Sequence, residues 1–592
     1  MKRTVSICLL RQDLRVHDQP LLHAVHHDKE VTHLLPLYVF DERYLELSGL
    51  PGYERDGPEA RTRLFGFWRT GVFRARFLTE AVYDLRNTLR SKNSDLLVRF
   101  GKMERIVEQV VEALKENGDE IKSVYLQKDF CSEEVAIERR LDSLLSARGI
   151  TLSLIDAAPL IDARDLPFPV SQTPDVFTPF RKRVEALGPL GRPPLEMPSQ
   201  LKPFPSLEEG KSYPGYGKDL DSKGVEDVLL PLLTPLQDTF ETKYSGSEWP
   251  RDLKSAFPYA GGETVALERV NWYFHQGDPP PVSKYKATRN GLLGHEYSTK
   301  LSPFLCLGMI SPRTVMKSLT DHEDKYGESQ NTYWVKFELL WRDYFLYITR
   351  KFGTKLFTLG GFEEVTDPKQ ASIKMQPGWW KGWDQEGSNE QPAVRWMQGR
   401  TGVPFIDANM AELRESGFMS NRGRQNVASF LTKDLQVDWR IGAEFFESHL
   451  IDYDPTANYG NWQYVGGVGN DPRASRQFNP IKQANDYDPQ GTYIKTWLPA
   501  LHRVPTSHIQ CPWVLKPAQR AEFIAEGAYP ESPVIEAPNW RPHYHKKGPG
   551  KINGNRNERV KNPGPGGPKK GRGEGRTTTD SDGSTSKENR RA

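Results

Sequence analysis

"GRQNVASFLTKDLQVDWRIGAEFFESHLIDYDPTANYGNWQYVGGVGNDPR", residues 423–473, passes from a helical pattern into a polar cluster and then into glycine-rich text. Through its first half apolar residues recur three and four positions apart with no proline to interrupt them, which predicts helix. It then reaches Asp452 and Asp454, separated by one residue, with Asn458 four positions after the second and Trp462 four beyond that. Carboxylates at such spacing could hold a metal, act as acid and base, or orient a large heterocycle. The sequence on either side has to decide.

Outward from this stretch, helical periodicity dominates from about 256 to 510, as in "TYWVKFELLWRDYFLYITRKFG", residues 332–353, so an all-helical domain is expected there. Residues 1–165 read differently. Short apolar runs ("TVSICLL", "LLPLYVF", "DLLVRF", "SVYLQK", "TLSLI") alternate with amphipathic helices, which predicts an α/β domain with a doubly wound parallel sheet. No GxGxxG follows the first run, so the usual dinucleotide fingerprint is absent. Between them, residues 166–255 turn rich in proline, serine and glycine ("PLGRPPLEMPSQLKPFPSLEEGKSYPGYG") and are expected to be a connector running over the surface. Residues 511–592 form a C-terminal extension, and from about 545 onward almost no apolar residue remains, so that part is expected to be disordered.

At 592 residues the chain exceeds the ~250–300 at which one core stops growing. Its net charge of +3 is uneven: from His545 onward there are 13 Lys and Arg against 5 Asp and Glu, which leaves the preceding residues at −5. Affinity of the folded part for nucleic acid would therefore need a local patch, while the tail adds a diffuse attraction and carries Arg-Gly pairs suited to single strands or simply to solubility. The cysteines Cys8, Cys131, Cys306 and Cys511 are far apart and form no CxxC pair, which points away from a disulfide framework and from structural zinc. No stretch approaches the ~18–20 apolar residues of a membrane span, and the chain enters a strand within a few residues of its start, so no signal or transit segment is expected.

Three further clusters carry candidate chemistry. In "STKLSP", Ser298, Thr299, Lys300, Leu301 and Ser302 lead into a Ser-Pro helix start, which suits either a diphosphate or an ordinary cap. In "FELLWRDYF", Glu338, Trp341 and Arg342 share one helix face, where they could stack a base and bond its edge or form an ion pair beside a core indole. In "SGFMSNRGRQNV", Ser420 reads as an N-cap with Asn421 and Arg424 on the first turn. An arginine there opposes the helix dipole and calls for a carboxylate, of which the opening stretch has two.

Taken together, "LLRQDLRVHDQPLL", "TRNGLLGHEYSTKLSPFLCLGMISPR", "WRDYF", the opening stretch and "NDYDPQGTYIKTWLPAL" resemble the cryptochrome/photolyase family. "NGLLGHEYSTK", "NYGNWQY" and "GVGNDPR" resemble its DASH type. The resemblance runs in order over roughly residues 3–510.

What it implies is a bent FAD in the helical domain. Asp452, Tyr453, Asp454 and Asn458 would border the flavin, with Asp452 paired to Arg424 and Asn458 facing flavin N5, while Tyr285 and Ser298–Ser302 would hold the phosphates and adenosine. On this reading the aspartates are neither metal ligands nor an acid–base pair, and no metal site is expected. Trp462, Trp439 and a third indole, Trp383 in preference to Trp380, would carry electrons outward. Glu338 and Trp341 match dimer-contacting positions of photolyases, and Arg289, Arg342, Asn421, Gln425 and Tyr464 match DNA-contacting ones. Tyr464 and Gln425 replace the Trp and Met usual in duplex photolyases. Less stacking energy to offset base flipping implies a preference for single-stranded DNA containing pyrimidine dimers.

The resemblance also implies a 5,10-methenyltetrahydrofolate antenna between the domains, with Glu80 at a contact position, although "LLRQDLR" departs from the more usual "WFRNDLR". The expected protein is a monomer acting in the cytoplasm or nucleus, with the mitochondrion as an alternative. It would repair cyclobutane pyrimidine dimers by photoinduced electron transfer. The rival expectation is a blue-light photoreceptor that signals without repair and binds RNA through its tail. A dark flavin oxidoreductase has neither a nicotinamide fingerprint nor a use for the tryptophans.

Overall fold

Every second residue of the first strand serves a different core. Val5, Ile7 and Leu9 of β1 (Thr4–Leu10) join one apolar cluster, whereas Cys8 and Leu10 join another. That alternation is the period of two of an extended chain buried on both faces. The computed structural model describes residues 3–209, 211–218, 224–239, 254–376, 380–381, 391–470 and 477–544. Trp383, the Asp-Pro-Arg at 471–473 and the tail from 545 lie outside the described residues.

The sheet is parallel and five-stranded, in the order β3-β2-β1-β4-β5, with β2 His33–Asp41, β3 Leu97–Gly101, β4 Glu120–Gln127 and β5 Thr151–Ile155. Helix α1 spans Pro20–His27, α2 Val72–Ser91, α3 Met103–Glu116 and α4 Ser132–Ser146. Helices α3 and α4 cover one face, with Val107, Val110, Leu114, Leu141 and Leu145 on the β1 residues Val5, Ile7 and Leu9. On the other face α1 and α2 enter a cluster that continues without a break into the helical half: Phe77 of α2 meets Phe257 and Phe304 at 5.7 and 5.6 Å. The doubly wound sheet and the helical domain therefore share a core.

The segment expected as a surface connector is more than that. Its helices α5 (Phe177–Glu185) and α6 (Val225–Leu233) bury Phe177, Phe180 and Val184, and Val228, Leu229, Leu232 and Leu233. Prolines between these helices give the text its loop-like look, yet each short apolar stripe finds a partner.

The helical half comprises α7 (Glu263–His275), α8 (Tyr285–Thr288), α9 (Ser302–Cys306), α10 (Pro312–Tyr326) and α11 (Gln330–Phe352). There follow α12 (Glu363–Thr366), α13 (Pro368–Lys374), α14 (Pro392–Gln398), α15 (Pro404–Ser416) and α16 (Asn421–Ser429). The last are α17 (Trp439–His449), α18 (Pro455–Gly466), α19 (Pro480–Tyr487), α20 (Thr492–Trp497) and α21 (Pro517–Phe523). Beyond 511 the chain still packs: Trp540 is fully buried, Tyr529 donates to Asp407 at 2.6 Å, and Val534 N bonds Thr401 O at 2.7 Å. Among the described residues no helix is long and apolar enough to cross a membrane.

Candidate flavin site in the helical domain

Two glycines decide how α17 and α18 meet. A Cβ on Gly442 of α17 would fall 2.1 Å from the Trp462 ring, and one on Gly466 of α18 would lie 3.5 Å from Trp439. Each indole thus lies over the glycine of the partner helix, in a reciprocal contact that only a missing side chain permits at Gly442. The loop between the two helices carries Asp452 and Asp454. Asp454 caps α18, its Oδ1 accepting from Ala457 N at 2.8 Å and from Thr456 Oγ1 at 2.6 Å, with Pro455 at the first helical position. Ser420 caps α16 in the same way, accepting from Gly423 N at 3.0 Å. After α16 the backbone widens into a π turn over Phe430–Asp434 before α17 begins.

These elements enclose a cavity of about 370 Å³, within the ~300–1,000 Å³ of small-molecule sites. Val315, Val335, Leu339, Phe446, Leu450, Trp462 and Val465 supply its apolar walls. Of the residues singled out in the sequence, the cavity gathers Tyr285, Arg289, Ser298, Thr299, Lys300, Leu301, Ser302, Glu338, Arg342, Asn421, Arg424, Gln425, Asp452, Asp454, Asn458 and Trp462. It does not gather Tyr453, whose ring lies under Arg74 at 4.7 Å, nor Trp439, which lies over Gly466 of α18. Trp341 and Tyr464 stand outside the lining as a half-buried corner, rings 5.9 Å apart and nearly perpendicular, with Phe177 stacked on Trp341 at 3.7 Å. Glu80 of α2 does not line the cavity, its oxygens accepting from Arg76 Nε at 2.9 Å and Gly261 N at 2.8 Å. Trp380 packs against the core, and its neighbour Lys381 bonds Gln436 O and Asp438 N at 2.8 and 3.0 Å, just ahead of Trp439.

Charge in the cavity is partly paired and partly bare. Arg424 Nη2 lies 2.8 Å from Asp452 Oδ2, and its Nε donates to Met419 O at 2.8 Å. Arg289 Nη2 lies 2.6 Å from Glu338 Oε1. Burial raises the Glu338 carboxyl above its ordinary value, against the pull of Arg289. Asn458 is oriented by a hydrogen bond from Nδ2 to Ala443 O at 2.9 Å. Arg342, expected at a DNA contact, gives Nη1 to Ala158 O at 2.7 Å.

By contrast, Lys300 Nζ, Asp452 Oδ1 and the Tyr297 hydroxyl are buried without a hydrogen-bond partner among the described residues. Lys300 sits at φ +59° with only 3 % exposure, its ammonium 3.3 Å from the Tyr297 ring and 4.7 Å from Phe418. Burial drives its pKa well below the ordinary value, with Glu412 pulling the other way and Arg269 and Arg424 adding to the fall. Buried groups left without partners are expensive, so a cavity that holds a bare cation, a bare carboxylate oxygen and a bare hydroxyl suits a ligand supplying the complement. A dinucleotide fits that test: an anionic diphosphate at Lys300, and a flat heterocycle with donors along its edge between the apolar walls and Asp452. The helix cap seen in "STKLSP" contributes less than its sequence implied, because α9 has only five residues. Tyr297 and Phe418 escaped the sequence reading. They look like ordinary aromatics until Lys300 is seen to lie between them.

Residues 334–547 match the FAD binding domain of DNA photolyase, and residues 6–200 match the DNA photolyase family. The chain is 41 % identical to Cryptochrome DASH of Xenopus laevis over 546 residues, 92 % of each chain. It is 41 % identical to Cryptochrome DASH of Danio rerio over 551 residues, 93 % of each. The crystal structure of Synechocystis sp. PCC6803 cryptochrome superposes with a TM-score of 0.74 at 35 % identity, covering 90 % of this chain and 96 % of that one. With a parallel-sheet domain ahead of a helical domain that closes around a dinucleotide-sized cavity, and this similarity along nearly its whole folded length, the chain belongs to the cryptochrome/photolyase family of flavoproteins, among relatives of the DASH type.

Proposed function

We propose that the protein binds FAD in this cavity and repairs cyclobutane pyrimidine dimers in single-stranded DNA under blue light. The observation that carries this reading is the bare Lys300 ammonium in the same cavity as the Arg424–Asp452 pair and Trp462. When bound, FAD would supply a light-excited redox centre that the protein's side chains cannot provide on their own. Lys300 and the hydroxyls of Ser298, Thr299 and Ser302 would neutralise and bond its phosphates. Arg424 holds Asp452 through Oδ2 and leaves Oδ1 without a partner among the described residues, and Asn458, steadied by Ala443, would help to hold the flavin.

Toward the substrate, Trp341 and Tyr464 offer an apolar corner against which a dimer can lean, with Phe177 fixing the Trp341 ring from behind. Glu338, held by Arg289 at 2.6 Å, places a carboxyl at the cavity wall where it would meet the polar edge of a pyrimidine. An electron reaching the dimer would break the two carbon–carbon bonds that join the pyrimidines and then return, so repair consumes no reductant. Tyr464 gives a smaller stacking surface than Trp would. The few kcal/mol needed to flip a dimer from a duplex is then poorly offset, which favours single strands. A folate antenna remains part of the proposal through the resemblance alone, since both Glu80 oxygens are engaged within the protein.

The test is illumination of the flavin-loaded protein, with the flavin reduced, on UV-irradiated oligothymidylate, single-stranded and in a duplex. Restored thymine absorbance in the single strand at a rate well above that in the duplex supports the reading. Photobleaching of the flavin without any restored absorbance favours the signalling photoreceptor instead.

A further inference from the structure

Trp439, the second indole of the expected relay, has a phenol at its side. Tyr459, one turn before Trp462 in α18, meets Trp439 edge-to-face with ring centroids 6.2 Å apart. Its hydroxyl donates to Glu447 Oε2 at 3.1 Å, inside the protein. Glu447, in α17, is itself fixed: its other oxygen takes Arg69 Nε at 3.0 Å, and its side chain is 5 % exposed. Phe357 closes the remaining side of the phenol at 4.9 Å, and Tyr459 is 6 % exposed.

Among the described residues, no other ring beside these two indoles has this arrangement. Trp396 also touches Trp462, at 6.2 Å, but its Nε1 donates to Val427 O, and Trp439 Nε1 donates to Leu359 O. A backbone carbonyl cannot take a proton at ordinary pH, whereas a carboxylate can. Burial, and after it the Glu447 charge, pushes the Tyr459 phenol well above its ordinary value, so at rest the proton stays on the phenol.

We propose that Tyr459, with Glu447 as its proton acceptor, is a hole sink on the Trp462–Trp439 relay. This rests on the flavin reading above, because the primary oxidant is a light-excited oxidised flavin acting through Trp462. Once Trp439 has lost an electron, Tyr459 returns one to it. The phenolic O–H bond breaks as that proton forms a new O–H bond on Glu447 Oε2. The products are a neutral Trp439, a neutral Tyr459 phenoxyl radical and a protonated Glu447, with Arg69 unchanged. Because the phenoxyl is shut away from solvent and has lost its proton to a neighbour, the charge separation outlives that of an indole cation radical alone.

Time-resolved EPR and transient absorption of the flavin-loaded protein after a blue flash test this. In the native chain an indole radical should give way to a phenoxyl radical, and the conversion should slow in D₂O. Tyr459→Phe keeps the ring contacts with Trp439 and Phe357 and removes only the hydroxyl. It should abolish the phenoxyl signal and lengthen the indole radical's lifetime several-fold. Glu447→Gln should keep the tyrosine but slow phenoxyl formation several-fold. If the indole radical forms but decays identically in the native chain and in Tyr459→Phe, without a D₂O effect, the sink is wrong and the flavin reading stands. If the native chain forms no indole radical at all, the flavin reading fails and takes the sink with it.

Discussion

Two crevices among the described residues differ sharply in the room they keep. The order β3-β2-β1-β4-β5 reverses direction between β1 and β4, and the crevice beyond the carboxyl ends of those strands is where open α/β sheets usually bind ligands. Here that crevice holds only about 30 Å³, walled by Gln127, Asp129, Phe130 and residues of the helical half such as Arg342 and Asp454. Arg11, just past β1, reaches across to Glu138 Oε1 and Gln127 O, both at 2.7 Å. The helical cavity has the opposite character, with about 370 Å³ and a cation, a carboxylate oxygen and a hydroxyl left bare. A site is thus marked less by topology than by the room that the fold leaves beside its polar groups.

That contrast can be broken most forcefully at Gly442. Replacing it with valine puts side-chain atoms where the Trp462 ring lies, and even a Cβ would be 2.1 Å away. The expected result is loss of flavin retention and of light-driven reduction, with about 1–3 kcal/mol of stability lost to overpacking. Flavin absorbance after desalting and a thermal melt measure both.

Lys300→Met should separate binding from stability. Flavin affinity is expected to fall by roughly 10- to 100-fold, as for loss of a charge-assisted hydrogen bond worth ~1.5–3 kcal/mol. The ligand-free protein should melt no lower, because a buried amine without a hydrogen-bond partner is gone. A fluorescence titration and a melt of the apoprotein check the two signs. Equal losses in both would mean that Lys300 is structural.

A pH profile sharpens the same point. Glu412, buried beside the cavity and bonded by the Tyr493 hydroxyl at 2.6 Å, has its carboxyl pushed up to about 7 by burial, from an ordinary 4.5. A folded-state value above the unfolded one means that the native state binds more protons between the two. Apoprotein stability should therefore fall as pH rises from about 4.5 to about 7, by up to ~3 kcal/mol. Glu412→Gln should flatten that limb of a plot of melting temperature against pH.

The smallest effect on the cofactor is expected at the filled crevice. Arg11→Ala removes one partner of a buried ion pair and should cost about 3 kcal/mol in stability while leaving flavin affinity within about twofold. A larger affinity change would mean that the two crevices are coupled.

Much of this was legible in the sequence for a local reason. The strands of the sheet and long helices such as α11 and α17 are written in periods of two and of three to four, and caps such as Ser420 and Asp454 announce their helices. Arg424 on a first helical turn signalled a missing carboxylate, and Asp452 lies at 2.8 Å. The short stripes of α5 and α6 were hidden by prolines around them. Tyr453 sits between two cavity residues in sequence yet turns its ring to Arg74, because neighbours in a turn do not share a direction.

By itself, then, the sequence determined the order of elements, the two kinds of domain and the residues that can carry charge, since periodicity and capping act over a few residues. Tertiary structure decided which charges were left bare. Arg11 and Lys300 look alike as text, but one meets Glu138, 127 residues away, and the other meets only aromatic rings. It also decided that Trp439 lies against Tyr459, because a glycine's missing Cβ matters only once another helix has come close enough to use the space.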